Sequence, residues 1–183
     1  MIDPEEFNER QEKLFELVKF FSRLLLVGLF FRLILWIYPD TSGFQAFTAE
    51  IITFIMNLIG YNFSVEGFRI LTSGVDYIIT QDCTGWKSGM ALIGLVYAST
   101  GKLMKHCRFL ALGLLGIFVA NLIRVVTTIM LADAGIISFD IVHGFLWRWG
   151  LTAVVFAIWA FWYRGLEDEE DEAESSAEDV GDE

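Results

Sequence analysis

Apolar residues gather into blocks along this chain, with short polar stretches between them. Residues 20–38, 109–131 and 144–163 each supply about the 20 mainly apolar positions that a helix needs to cross a bilayer. Residues 44–59 and 86–98 are shorter candidates of the same kind. Between those two the pattern changes. Phe63-Ser-Val65 and Phe68-Arg-Ile70 read as one strand region, Ser73-Gly74 as a turn, and 75–81 as a β-rich return. The pattern predicts an all-α membrane protein: a polytopic bundle of about five transmembrane helices, with four as the alternative, and a small outer-face β-hairpin ahead of the helix that follows Cys83. Unpaired strand edges are intolerable in hydrocarbon, so that hairpin belongs among headgroups or in water.

Composition strengthens the membrane reading. Hydrophobic residues make up 55% of the 183 positions, above the usual share in a soluble domain, and lipid is the solvent that accommodates the excess. No cleavable signal peptide is evident in 1–19, a charged amphipathic segment, so the first apolar block is expected to stay in the mature protein. The body is expected over 20–163. Residues 164–183 form an acidic tail expected to be disordered and solvated, with docking to a basic partner as the alternative. Net charge is −11, but without the run 167–183 the remainder is close to neutral.

Basic residues in short loops orient the helices. Lys102, Lys105 and Arg108 form the clearest cluster, and the positive-inside rule puts their loop in the cytoplasm. The helix after Cys83 then runs inward, 109–131 returns outward, and the last span carries the acidic tail inside. If both early blocks span, the amino terminus lies outside, despite Arg10, Lys13, Lys19 and Arg23. A four-span arrangement with 44–59 at the outer interface keeps those charges inside. Block length favours five spans, the shorter block crossing where the bilayer thins.

Two cysteines, Cys83 and Cys107, are too few for a disulfide framework. Cys83 lies in Asp82-Cys83-Thr84-Gly85-Trp86-Lys87-Ser88-Gly89, at the outer end of a membrane helix. The positive end of the helix dipole favours a nucleophilic thiolate there, and Asp82 works against it. The bland alternative is a small buried apolar cysteine. Cys107 sits in the basic loop, with a weaker claim to chemistry. Arg124 lies inside an apolar helix, where a guanidinium costs several kcal/mol unless paired or hydrated. Asn121 and Thr128 share its face and are expected to orient it; snorkelling to the headgroups is the alternative. His143 stands at the outer mouth of the last span, where a merely solvated imidazole is the alternative. The charge-derived topology puts Cys83, Arg124 and His143 in one outer layer. A cysteine, a fixed cation and a proton carrier are the parts of an acyl-transfer site.

With these residues in place, a family resemblance becomes specific. Asp82-Cys83-Thr84-Gly85 with Ser88-Gly89 at a helix start, Asn121-Leu-Ile-Arg124-Val in a later helix and Val142-His143-Gly144 at the last span resemble the exosortase and archaeosortase family, over roughly 44–163. The chain looks like a shortened member, because many relatives carry more spans before the cysteine helix. The resemblance implies a cysteine transpeptidase of the archaeal or bacterial cell membrane, multi-pass, with its site at the outer face. Its partners are then surface-protein precursors ending in a short motif, a membrane helix and a basic cluster, with a membrane lipid as the acceptor. Cys83 attacks the scissile carbonyl in that picture, Arg124 steadies the oxyanion or thiolate, and His143 moves the proton. Some relatives use arginine where this chain has histidine, which makes Arg148 a secondary candidate beside Asn121. No cofactor, metal or nucleic acid is called for, and the oligomeric state is left open.

Other residues are expected to be structural. Lys87 and Arg69 read as interfacial anchors, Arg32 and Glu50 as an ion pair between helices, and Trp147, Trp149, Trp159 and Trp162 as an aromatic belt. The rival reading is a non-enzymatic subunit of a transporter or membrane complex, with Arg124 lining a polar path. A Cys/His metal site is disfavoured for want of ligands, and hydrolysis remains a variant of transpeptidation through the same acyl-enzyme.

Overall fold

The computed structural model describes residues 4–38, 40–72, 74–134 and 147–181, and side chains within 10–38, 40–72, 74–134 and 149–166. It is mostly helical. Helix α1 spans Pro4–Ile37 and α2 spans Ser42–Leu58; β1 (Ser64–Glu66), β2 (Arg69–Leu71) and β3 (Tyr77–Ile78) follow. A 3₁₀ turn, Gln81–Thr84, leads into α3 (Trp86–Thr100). A second, Leu103–His106, leads into α4 (Cys107–Asp133), and α5 runs Trp147–Gly181. Arg10–Ile37 and Leu103–Asp133 are long and apolar enough to cross a membrane.

Helix α1 joins the charged start and the first apolar block into one 34-residue helix. Proline is tolerated in a first helical turn, which suits Pro4. Pro39 disfavours helix at the residue before it, and α1 stops at Ile37. At the start of α2 the Asp40 carboxylate accepts the Ser42 N–H at 2.9 Å, and the Ser42 side chain, together with this backbone bond, holds the carboxyl below its ordinary pKa. Helix α5 continues to Gly181, so backbone that the sequence suggested to be unstructured is helical. The segment is rich in Glu and Ala, which are good helix formers, and contains no proline.

The contacts define two layers. In the first, α1 runs antiparallel to α3: the Arg23 guanidinium donates to Ala98 O at 3.3 Å, while Leu24 and Val27 lie against Gly94. Helices α4 and α5 complete this layer around Leu92, Leu95, Val96, Ile117 and Val155, backed by Phe20, Trp159 and Trp162. Close approach of α3 and α4 depends on Gly113, where an added Cβ would lie 2.6 Å from Leu92 Cδ2. Small residues at such crossings are how helices gain van der Waals contact when lipid offers no hydrophobic drive.

In the second layer α2 and the sheet pack on the later half of α4. Ala49, Ile52 and Met56 meet Ile70 and Ile79 of the sheet region and Leu122, Val125, Val126 and Ile129 of α4. Phe44 and Phe47 stack toward Phe118, earlier on α4. In the last turn of α2, Asn57 exchanges two hydrogen bonds with the Phe63 backbone, 2.9 and 2.8 Å, and so clamps α2 to the chain entering β1. Helix α2 thus runs in the direction of α4, toward the sheet, and does not return to the Lys102 loop. Its other face leaves Phe47, Phe54 and Leu58 more than half exposed. Arg32 and Glu50 are both exposed, and no ion pair joins them among the described residues.

The sheet is an antiparallel meander in the order β1-β2-β3, with Val65 opposite Ile70 and Arg69 opposite Ile78. What the sequence suggested as one strand region, 63–70, is therefore two strands. Gly67, at φ 59°, takes the first central position of a two-residue turn, where a tight hairpin favours glycine. Between β2 and β3 the Thr72 hydroxyl donates to Val75 O and accepts the Val75 N–H, which organises that turn without an extended strand after it.

Candidate active site

The turn carrying Cys83 is built by the chain around it and pinned by α4. Cys83 N–H donates to Thr80 O at 2.9 Å, the Thr84 hydroxyl donates to Gln81 O at 2.7 Å, and Thr80 Oγ1 lies 3.3 Å from Cys83 Sγ. Gly85 then enters α3 at φ 74°, a left-handed conformation that favours glycine. A side chain there would also strike Asn121, whose Cγ lies 3.0 Å from the position of an added Cβ. The closeness has a purpose: Asn121, fully buried, donates its amide to Cys83 O at 2.7 Å. One turn further on, Arg124 Nη2 donates to Asp82 O at 3.2 Å. Two side chains three apart on one helix face therefore hold two consecutive carbonyls of the cysteine turn.

This arrangement revises the roles expected for the neighbours of Arg124. Asn121 holds the cysteine backbone, and the Thr128 hydroxyl donates back to Arg124 O at 2.7 Å, within its own helix. Asp82, the charge expected to oppose a thiolate, is engaged by Lys87 Nζ at 2.6 Å. Lys87 thus acts on the site's electrostatics as well as lying near the Trp86 ring, 5.9 Å from its centroid. The pair is exposed and screened, so it moderates the local field and adds little stability.

Cys83 and Arg124 line one cavity of about 490 Å³. One wall is residues 75–79, and the other is Val125, Thr128, Ile129 and Ala132 of α4. The thiol is half-buried. Tyr77 lines the same space; desolvation raises its hydroxyl pKa, and nearby Asp133 and Tyr61 push in the same direction. A cavity of this size, mostly apolar with a few convergent polar groups, is the usual form of a small binding site. It brings a thiol and a guanidinium into one space. His143 lies outside the described residues, and Arg148 belongs to α5 with its side chain outside them. Cys107 begins α4 at the far end, roughly 25 Å along the helix from Arg124 at 1.5 Å per residue.

Sequence reasoning had no role for Gly85, Thr80 or Tyr77. Gly85 had a readable signal, a glycine directly before a helix start. Thr80 and Tyr77 had none, because their relevance depends on how the sheet folds back over α4.

A mainly helical protein with membrane-crossing helices, holding a cysteine and an arginine in a cavity beside a small sheet, is the class these features describe. Over residues 15–163 the chain matches the family described as transmembrane exosortase (Exosortase_EpsH), and it belongs to that family. It is accordingly a membrane protein. Comparisons with curated proteins and with solved structures gave no match.

Proposed function

We propose that the protein is a membrane cysteine transpeptidase that cleaves a carboxy-terminal sorting signal of surface proteins and passes the cleaved chain to a lipid or other surface acceptor. The observation that carries this reading is the meeting of Cys83 and Arg124, distant in sequence, in one cavity of a transmembrane exosortase. The Cys83 thiolate attacks the scissile carbonyl carbon, forming a C–S bond and an oxyanion that Arg124 stabilises. The C–N bond breaks as the leaving amine takes a proton, a role assigned to His143 from its place in the sequence motif. An acceptor hydroxyl or amine then attacks the thioester and releases the thiol.

The cavity is assigned to the outer face of the cell membrane, with four helices crossing: α1, α3, α4 and α5. Helix α2 starts level with Phe118, rises beside α4 without crossing, and ends at the sheet, which lies at the outer surface. Two contacts support this in place of five spans. Arg23 of α1 lies at the Lys102 end of α3, and Asn57 at the end of α2 is tied to the strand layer. Both fit the positive-inside rule for Lys13, Lys19 and Arg23.

The test is maturation of a co-expressed surface-protein precursor. Cys83→Ala is expected to abolish it, and Arg124→Ala to slow it by roughly 100-fold or more, the scale of losing one oxyanion donor. Normal processing by an inserted Cys83→Ala protein would leave the non-enzymatic alternative standing.

A further inference from the structure

The wall of the cavity formed by residues 75–79 is a strand edge. Successive side chains of a strand point to opposite faces, so a cavity on one face touches alternate residues. This cavity touches five in succession, Val75, Asp76, Tyr77, Ile78 and Ile79, and therefore runs along the side of β3. The sheet order β1-β2-β3 makes β3 the terminal strand, and among the described residues nothing pairs with its other side.

The register shows which backbone groups face the cavity. Ile79 N–H donates to Phe68 O at 2.9 Å, so Ile79 faces β2, as does Tyr77, paired with Ile70. Backbone groups alternate along an antiparallel strand. The N–H and C=O of Ile78 are thus directed away from β2. Val75 and Ile78 are 62% and 52% exposed, which leaves the edge open to an incoming chain.

We propose that this edge is the peptide subsite of the enzyme: the segment to be cleaved adds to β3 as a fourth strand, bonding to the Ile78 backbone, and so lays its scissile carbonyl between Cys83 and Arg124. The proposal rests on the cysteine transpeptidase reading and specifies how its substrate is held. Strand addition takes affinity from main-chain hydrogen bonds and selectivity from pockets for alternate side chains. The opposite wall, Val125, Thr128, Ile129 and Ala132, is mainly apolar, so a substrate side chain facing α4 is expected to be apolar. An edge that binds a strand only transiently must also stay short, and β3 has two residues.

The experiment uses the full-length protein in membranes with a co-expressed surface-protein precursor whose maturation depends on Cys83. The photocrosslinker p-benzoylphenylalanine is placed at Val75 or at Ile78 in a Cys83→Ala background, with Ser64 on β1, the opposite edge, as control. Adducts with the precursor are expected at Val75 or Ile78 and not at Ser64. Separately, Ile78→Pro removes the outward N–H while sparing the bonds to β2. It is expected to slow maturation at least about tenfold, the effect of losing one hydrogen bond. If Ile78→Pro fails to accumulate, the crosslinks decide alone. Maturation that persists in Cys83→Ala defeats the cysteine reading and this proposal together. Cys83-dependent maturation with no adduct at Val75 or Ile78, or with equal adducts at Ser64, overturns the strand edge alone.

Discussion

The amide of Asn121 reaches across from α4 to the carbonyl oxygen of Cys83, 2.7 Å away, and fixes the backbone of the residue that bears the thiol. Removing it by Asn121→Ala leaves a carbonyl without its partner at a buried position. The expected cost is about 1–3 kcal/mol, equivalent to roughly 5- to 150-fold if expressed wholly in rate. Asn121→Asp, which loses the donor and keeps the size, should fall on the same side. Precursor maturation in membranes, with insertion checked in parallel, measures the effect; wild-type rates for both variants would show that the turn holds itself.

Gly85→Ala faces two penalties at one position, a left-handed backbone and the side chain of Asn121 at 3.0 Å. Destabilisation of at least about 1 kcal/mol is expected from the backbone alone, with the contact adding to it. The same change at Gly28, where an added Cβ meets nothing within 4 Å, is expected to be neutral or slightly stabilising. Thermal unfolding in detergent compares the two, and equal midpoints would contradict the geometry.

Thiol labelling reads the proposed orientation directly. An impermeant maleimide added to intact cells should modify Cys83, and the signal should vanish in Cys83→Ser. Cys107, at the other end of α4, should react only after permeabilisation. Labelling of Cys107 in intact cells would invert the topology.

Tyr77 provides a pH signature. Its pKa is raised above the ordinary value of 10.0, chiefly by desolvation, so the folded state holds the phenolic proton more tightly than the unfolded chain does. That contribution is complete below pH 10.0 and fades as pH rises through the folded value. Alkaline unfolding should therefore be less steep in Tyr77→Phe than in wild type. Identical profiles would mean that the hydroxyl is solvated.

Much of this was legible in the chain, and the exceptions share a cause. The apolar blocks and the motifs around Cys83 and Arg124 are local patterns, and the family match agrees with the resemblance they carry. The partners of Asn121 and Thr128 were misjudged because helical spacing tells which residues share a face and not what lies opposite. Strand β1 merged with β2 in the sequence reading because Glu66-Gly67 is a short turn signal inside an apolar run. The direction of α2 was hidden for a similar reason: its length nearly suffices for a crossing, and only Asn57 and Phe63 reveal where it ends. His143 keeps its standing from sequence alone.

Helix α4 has 27 residues, which at 1.5 Å each is about 40 Å, longer than the roughly 30 Å of hydrocarbon in a bilayer. In the proposed orientation, with Cys107 at the inner boundary, Arg124 would fall a few ångströms beneath the opposite one, and the last two turns would project among the headgroups. The wetness of the cavity is then governed by lipid tail length. Longer acyl chains would draw the guanidinium and thiol into drier surroundings, and shorter chains would flood them, so turnover should pass through a maximum as reconstituted bilayers are made thicker.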